Sequence, residues 1–176
     1  VRPPPGAELL LTGEDVAAVV RRLAAEIAPT LDDEAVVVSL LTGAIWFAAD
    51  LMRALSALGV HPLFDALWLA SYGDARESGG RVETRAGLQR PVAGRRVLIL
   101  DDVLESGLSL AAARDHALRA GAADVRTAVF ARKPWDGPRG CEAEFVGWQA
   151  PKRFLAGYGL DDKGRFRGLE GIVALD

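Results

Sequence analysis

The sequence holds a single cysteine, Cys141, and two histidines, His61 and His116. One cysteine cannot close an internal disulfide, and it excludes a zinc site built from a cysteine cluster. Two histidines are too few for a histidine-rich metal centre. No run approaches the roughly 20 apolar residues that a membrane-spanning helix needs, so no membrane partner is expected. A net charge of −3 argues against a broad nucleic-acid face and leaves room for a local anion site. The stretch Val1-Arg-Pro-Pro-Pro-Gly6 has no apolar core behind its charge and does not read as a signal peptide. A soluble cytoplasmic protein is the expectation.

What is present is an ordinary globular balance. Half of the 176 residues are apolar and 26% are charged, enough for one domain with a full core. Residues 1–11 read as an irregular, proline-stiffened lead-in. Thr12 can cap a helix, with Asp15 in the capping-box position and Val16, Val19, Leu23 and Ile27 at helical spacing. Ala35–Leu41 is apolar on both faces, as a central parallel strand is. Thr42-Gly43 turns it into a helix over 44–58, with Gly59 at its C′ position. Further strands are expected over 64–70, 96–100 and 125–131, with a helix over 108–120. Residues 71–90 are polar and glycine-rich, a candidate mobile loop or hairpin. Short strands are expected at 144–148, 154–158 and 172–175.

This order predicts an open α/β sheet with right-handed crossovers. Its ligand crevice lies outside the C-terminal strand ends. Leu41-Thr42-Gly43, Asp101 to Ser109 and the segment around Arg132-Lys133 should meet there. The stretch Val97-Leu-Ile-Leu-Asp-Asp-Val-Leu-Glu-Ser-Gly-Leu-Ser-Leu110 delivers two carboxylates at a strand end, then small residues at a helix start. Backbone N–H groups and hydroxyls there form an anion cradle. The carboxylates suit sugar hydroxyls, or a magnesium ion between sugar and phosphate. An ordinary strand end followed by a helix cap would use the same residue types.

That stretch resembles the phosphoribosyl pyrophosphate signature of the type I phosphoribosyltransferases. Leu41–Leu55 resembles the pyrophosphate loop and first core helix of their hypoxanthine-guanine branch, and Ser71–Gly80 its flexible catalytic loop. Phe145–Trp148, Pro151–Asp161 and Arg165–Arg167 resemble its purine-binding hood. The resemblance implies a single domain over 1–176. A mainly parallel sheet flanked by helices fills a core of about 10–140, and a small hood forms from about 141–176 with the lead-in.

Site roles follow from the resemblance residue by residue. Asp101 and Asp102 hold the ribose hydroxyls, partly through Mg2+, with Asp161 meeting a second magnesium through water. Val103, Leu104, Ser106, Gly107, Leu108 and Ser109 line the ribose-phosphate loop, with Leu108 and Leu110 also expected to anchor the following helix. Leu41, Thr42, Gly43 and Arg167 hold pyrophosphate. Lys133 reads the 6-oxo group of the base: a lysine offers donors and no acceptor, so it favours hypoxanthine and guanine over adenine. A solvated lysine beside Pro134 is the plain alternative. Phe154 stacks on the base and the backbone of Leu155 binds its edge. Ser71 and Tyr72 close over pyrophosphate. Trp46 and Phe47 pack in the first core helix, and Trp68 in the core.

Two departures stand out. The pyrophosphate loop usually reads Leu-Lys-Gly, with the peptide between its last two residues often cis; here it reads Leu41-Thr42-Gly43. Glu105 stands where the family has the aspartate proposed to take the purine N7 proton. The implied reaction converts phosphoribosyl pyrophosphate and hypoxanthine or guanine into IMP or GMP plus pyrophosphate, in a homodimer or homotetramer. The departures keep open a nucleotide-binding regulatory homologue, and xanthine remains an alternative base.

Overall fold

The computed structural model describes residues 4–72 and 81–175, with the backbone alone for residues 71, 72, 81 and 82. Its centre is a six-stranded sheet. In chain order the strands are β2 (Val36–Leu41), β3 (Leu63–Tyr72), β4 (Arg81–Ala86), β5 (Arg96–Leu104), β6 (Asp124–Arg132) and β7 (Phe145–Gln149). They lie side by side as β4-β3-β2-β5-β6-β7, all parallel except β4, which runs back along β3.

The apolar runs are continuous because both sheet faces are covered. Val37, Leu98, Leu100 and Phe130 point to one face, under the helices α1 (Gly13–Ile27) and α2 (Ile45–Ala57). Val36, Val38, Ile99 and Val129 point to the other, under α3 (Leu108–Arg119). α1 starts as expected, with a capping box between Thr12 and Asp15. Gly59 has φ +78 just past α2, the left-handed C′ position.

Three elements differ from the sequence expectation. Residues Glu8–Leu11 are not irregular: they form β1, antiparallel to β9 (Ile172–Ala174), which also pairs with β8 (Leu155–Ala156). This small sheet stands where the resemblance places the hood. β7 belongs to the main sheet, beside β6, so the core extends to Gln149 and the hood begins after it. Gly147 explains the placement. A methyl there would stand 2.5 Å from the Phe130 carbonyl oxygen and 2.8 Å from Cγ1 of Val19, so only glycine lets α1 lie this close to the edge strand. Trp68 is not a core residue; it is 39% exposed, with the Arg85 guanidinium 5.6 Å from its ring centre. Phe47 is fully buried, as expected. Among the described residues no helix is long and apolar enough to cross a membrane.

Candidate active site

The crevice opens where β2 and β5 part. Their register ends at Ser39 opposite Leu100. β2 then turns into Thr42-Gly43, while β5 stays paired with β6 as far as Leu104 opposite Arg132. The strand therefore does not stop at Leu100. It carries Asp101 and Asp102 along the crevice wall, because β6 keeps supplying backbone partners. Asp102 N–H donates to Oδ1 of Asp101 at 3.0 Å, and Val103 N–H to Oδ1 of Asp102 at 2.8 Å. Burial pushes the Asp101 carboxyl well above the usual range, and the neighbouring Asp102 adds to this. Burial also raises Asp102, opposed by its hydrogen bonds and by the charge of Arg167.

The residues expected to form the pyrophosphate loop face this pair. A methyl on Gly43 would stand 1.9 Å from Oδ2 of Asp102. The cis peptide lies between Leu41 and Thr42, one bond earlier than the resemblance implied. The hood closes on the same loop. Gly159, at φ +96, has room for no Cβ, which would stand 2.1 Å from the Gly43 carbonyl oxygen. Arg167 donates to the Gly159 carbonyl and pairs with Asp161 Oδ1 at 2.5 Å, while Asp161 Oδ2 accepts from Gly164 N–H at 2.6 Å. Arg167 and Asp161 are thus brought together on the hood side of the crevice.

The ribose-phosphate loop is braced from behind. Gly107 is left-handed at φ +73 and precedes α3 directly; a Cβ there would stand 2.3 Å from the Cys141 carbonyl oxygen. Gly140 N–H donates to the Ser106 carbonyl at 2.8 Å, and Leu108 N–H to Ser106 Oγ at 3.5 Å. Ser109 lies in the first turn of α3, where backbone N–H groups lack intrahelical partners. Leu110 is buried as an anchor. Leu108 is not one: it is 41% exposed.

The expected base side joins β5 to β6. Lys133 N–H donates to the Leu104 carbonyl at 3.0 Å, and its Nζ pairs with Glu105 Oε1 at 2.7 Å. Lys133 is therefore not a solvated lysine; its side chain is 15% exposed. Arg139, which the sequence did not single out, binds both partners. Its Nε donates to the Glu105 carbonyl at 2.7 Å, Nη2 to the Lys133 carbonyl at 2.5 Å, and Nη1 pairs with Glu142 at 3.0 Å. No spacing rule points to it, because two of its targets are backbone oxygens.

Phe154 has an exposed ring, and its carbonyl accepts from Leu175 N–H at 3.0 Å. Leu155 is buried opposite Ala174. Ser71 and Tyr72 end β3 opposite Val82 and Arg81. The rest of the expected catalytic loop, including Gly73, Gly79 and Gly80, lies outside the described residues.

Among the described residues no group of three or more His, Cys, Asp or Glu side chains could hold a metal alone. Magnesium commonly takes one or two carboxylates and completes its shell with phosphates and water. The Asp101–Asp102 pair on the crevice wall fits that demand. Asp161 already serves Arg167 and Gly164.

The chain is similar to known proteins over nearly its whole length. The phosphoribosyl transferase domain family matches residues 6–163. The chain is 35% identical over 156 residues to a hypoxanthine-guanine phosphoribosyltransferase of Aquifex aeolicus, covering 88% of this chain and 86% of the relative. It is 33% identical over 175 residues to one from Mycobacterium tuberculosis, covering 96% and 85%. A hypoxanthine phosphoribosyltransferase structure from Staphylococcus aureus superposes with a TM-score of 0.86 at 29% identity, covering 96% of this chain and 91% of that one. One from Trypanosoma cruzi superposes at 0.90 and 28%, covering 100% and 95%.

Proposed function

This chain belongs to the phosphoribosyltransferase family, in its hypoxanthine-guanine branch, and from that premise we propose a specific reaction. The 5-phosphoribosyl group of phosphoribosyl pyrophosphate passes to N9 of hypoxanthine or guanine. The bond from C1′ to pyrophosphate breaks, a bond from C1′ to N9 forms with inversion, and the base gives up one proton. The observation that carries this reading is the crevice itself. It gathers the acidic pair on β5, the Gly43 loop and Arg167 around one space, with the Lys133–Glu105 pair beside the same strand end.

Each residue has a chemical job in that space. Asp101 and Asp102 would accept hydrogen bonds from the ribose hydroxyls and would hold Mg2+. Bound magnesium supplies charge neutralisation for the leaving pyrophosphate. The Ser106–Ser109 backbone and hydroxyls cradle the 5′-phosphate as a nest of N–H groups. Arg167 offers a fork for two pyrophosphate oxygens, at the cost of loosening its bond to Asp161. Lys133 donates to the 6-oxo group, Phe154 stacks on the base, and Glu105 accepts the N7 proton as positive charge develops on the sugar. Ser71 and Tyr72 close over the pyrophosphate and keep water from the cation-like sugar centre.

A homo-oligomer belongs to the same reading. Ile45, Phe64 and Trp68 are exposed apolar side chains, and Ile45 and Phe64 share an apolar groove with Leu41 of the pyrophosphate loop. One observation favours a second reading, a nucleotide-binding homologue with little transferase activity: Glu105 is engaged with Lys133 rather than standing free. The test is an assay of purified protein with phosphoribosyl pyrophosphate, magnesium and each of hypoxanthine, guanine, xanthine and adenine. Transfer to the first two supports the proposal. Tight nucleotide binding without transfer to any base replaces it with the second reading.

A further inference from the structure

Glu105 and Lys133 occupy each other. Oε1 of the carboxylate takes one donor of the ammonium that would read the 6-oxo group, at 2.7 Å, so each charge is partly neutralised by the other before a base arrives. The contact is held from both ends. Lys133 N–H is bonded to the carbonyl of Leu104, the residue before Glu105. The guanidinium of Arg139, only 7% exposed, ties the Glu105 and Lys133 carbonyls together. With both backbones fixed, side-chain length decides whether the two charges meet. Glutamate reaches one C–C bond, about 1.5 Å, farther than aspartate. On this backbone an aspartate carboxylate would be drawn back from Nζ by about that distance, past ordinary hydrogen-bond range.

From this geometry we infer that Glu105 is an internal competitor for the base and thereby sets base selectivity. This inference rests on the transferase reading above, in which Lys133 meets the base. An incoming base competes with each half of the pair, with Glu105 for the ammonium at O6 and with Lys133 for the carboxylate at N7. A purine with an oxygen at C6 and a proton at N7 does so: the oxygen satisfies Lys133 and the N–H satisfies Glu105. A 6-aminopurine sets donors against the ammonium and leaves the ion pair unreplaced. A nucleotide product, which has no N7 proton, draws on Lys133 and offers Glu105 no hydrogen bond in return. The pair therefore weakens product binding and raises the base KM, and it sharpens the choice against adenine.

The experiment uses full-length protein and its Glu105→Asp and Glu105→Gln variants, with melting temperatures recorded to show that all three fold. IMP affinity is measured by calorimetry, and steady-state constants with hypoxanthine and phosphoribosyl pyrophosphate varied in turn. Removing the competitor should tighten IMP binding by about three- to tenfold in both variants, the range expected for loss of a partly exposed ion pair. The KM for phosphoribosyl pyrophosphate should stay within about twofold, since Asp101, Asp102 and the Ser106–Ser109 loop remain to hold it. Glu105→Gln should combine tighter product binding with slower turnover, a split that a merely structural role would not give. Unchanged or weaker IMP binding in both variants, with wild-type transfer intact, overturns the competitor and leaves the transferase reading standing. Tighter IMP binding in both variants, with no transfer by wild type, keeps the competitor and overturns the transferase reading. Absence of IMP binding in all three forms overturns both.

Discussion

Gly43 and Asp102 meet across the crevice with no room for another atom: a methyl on Gly43 would stand 1.9 Å from Oδ2 of Asp102 and 2.6 Å from its Cγ. This contact couples the pyrophosphate loop to the acidic pair. Asp102 cannot retreat freely, because Oδ1 accepts from Val103 N–H at 2.8 Å. Gly43→Ala should therefore displace the carboxylate. A misplacement of about 1 Å can cost on the order of a hundredfold in rate, so kcat/KM for phosphoribosyl pyrophosphate should fall by about that factor. Steady-state kinetics with circular dichroism checks this. A folded variant with wild-type kcat/KM would show that the crevice tolerates a wider loop.

Arg139→Gln should act on both base-side residues at once. The guanidinium holds the Glu105 and Lys133 carbonyls and is nearly buried. Glutamine can serve one carbonyl and leaves the other without its donor. Loss of such a charged hydrogen bond costs about 1–3 kcal/mol, which should lower the melting temperature by several degrees. The KM for hypoxanthine should rise more than that for phosphoribosyl pyrophosphate. Equal changes in both constants would reduce Arg139 to a stabilising residue with no hand in base placement.

The sheet and the crevice were legible because their signals are local. Two-faced apolar strands, the Thr12–Asp15 cap and the acidic-then-small pattern from Asp101 to Ser109 each carry their meaning within a few residues. What escaped depends on distant partners. Glu8–Leu11 is a strand only because Ile172–Ala174 lies beside it. Phe145–Gln149 joins the main sheet because Gly147 admits α1. β5 runs past Leu100 because β6 accompanies it. Arg139 answers backbone oxygens, which no side-chain pattern announces. The Glu105–Lys133 bond spans 28 residues and depends on a loop geometry that composition does not encode.

Glu144 gives a pH-dependent prediction away from the crevice. Its Oε2 accepts from Thr127 N–H at 2.8 Å and Oγ1 at 2.6 Å, and Oε1 pairs with Arg114 of α3 at 3.0 Å. Burial pushes its pKa up, but these bonds outweigh burial and hold it below the ordinary carboxylate value. The unfolded chain thus protonates this group first as pH falls. The stabilisation is fully present above the unfolded pKa, about 4.3, and is lost as pH drops through the lower folded value. Glu144→Gln should cost about 1 kcal/mol near neutral pH, a modest figure because the side chain is partly exposed. Denaturant melts at several pH values should show this gap closing below about pH 4. A gap that widens toward acid would reverse the assignment.

The proposed proton acceptor is tested by charge rather than by size. Glu105 keeps a carboxylate between the acidic pair and the phosphate loop, but with one methylene more than the family's aspartate. Glutamine has nearly the same shape and cannot take the N7 proton. Glu105→Gln should cut kcat by roughly ten- to a thousandfold, around the usual range for general acid–base catalysis. The affinity for magnesium phosphoribosyl pyrophosphate should change little, since Asp101 and Asp102 remain. Glu105→Asp should retain turnover, because it keeps the proton acceptor and frees Lys133 from the 2.7 Å contact. Single-turnover rates separate the chemical step from product release, which the Gln form is expected to slow as well. If the glutamine form completes a single turnover at the wild-type rate, the proton leaves by another route, and Glu105 acts on the base only through Lys133.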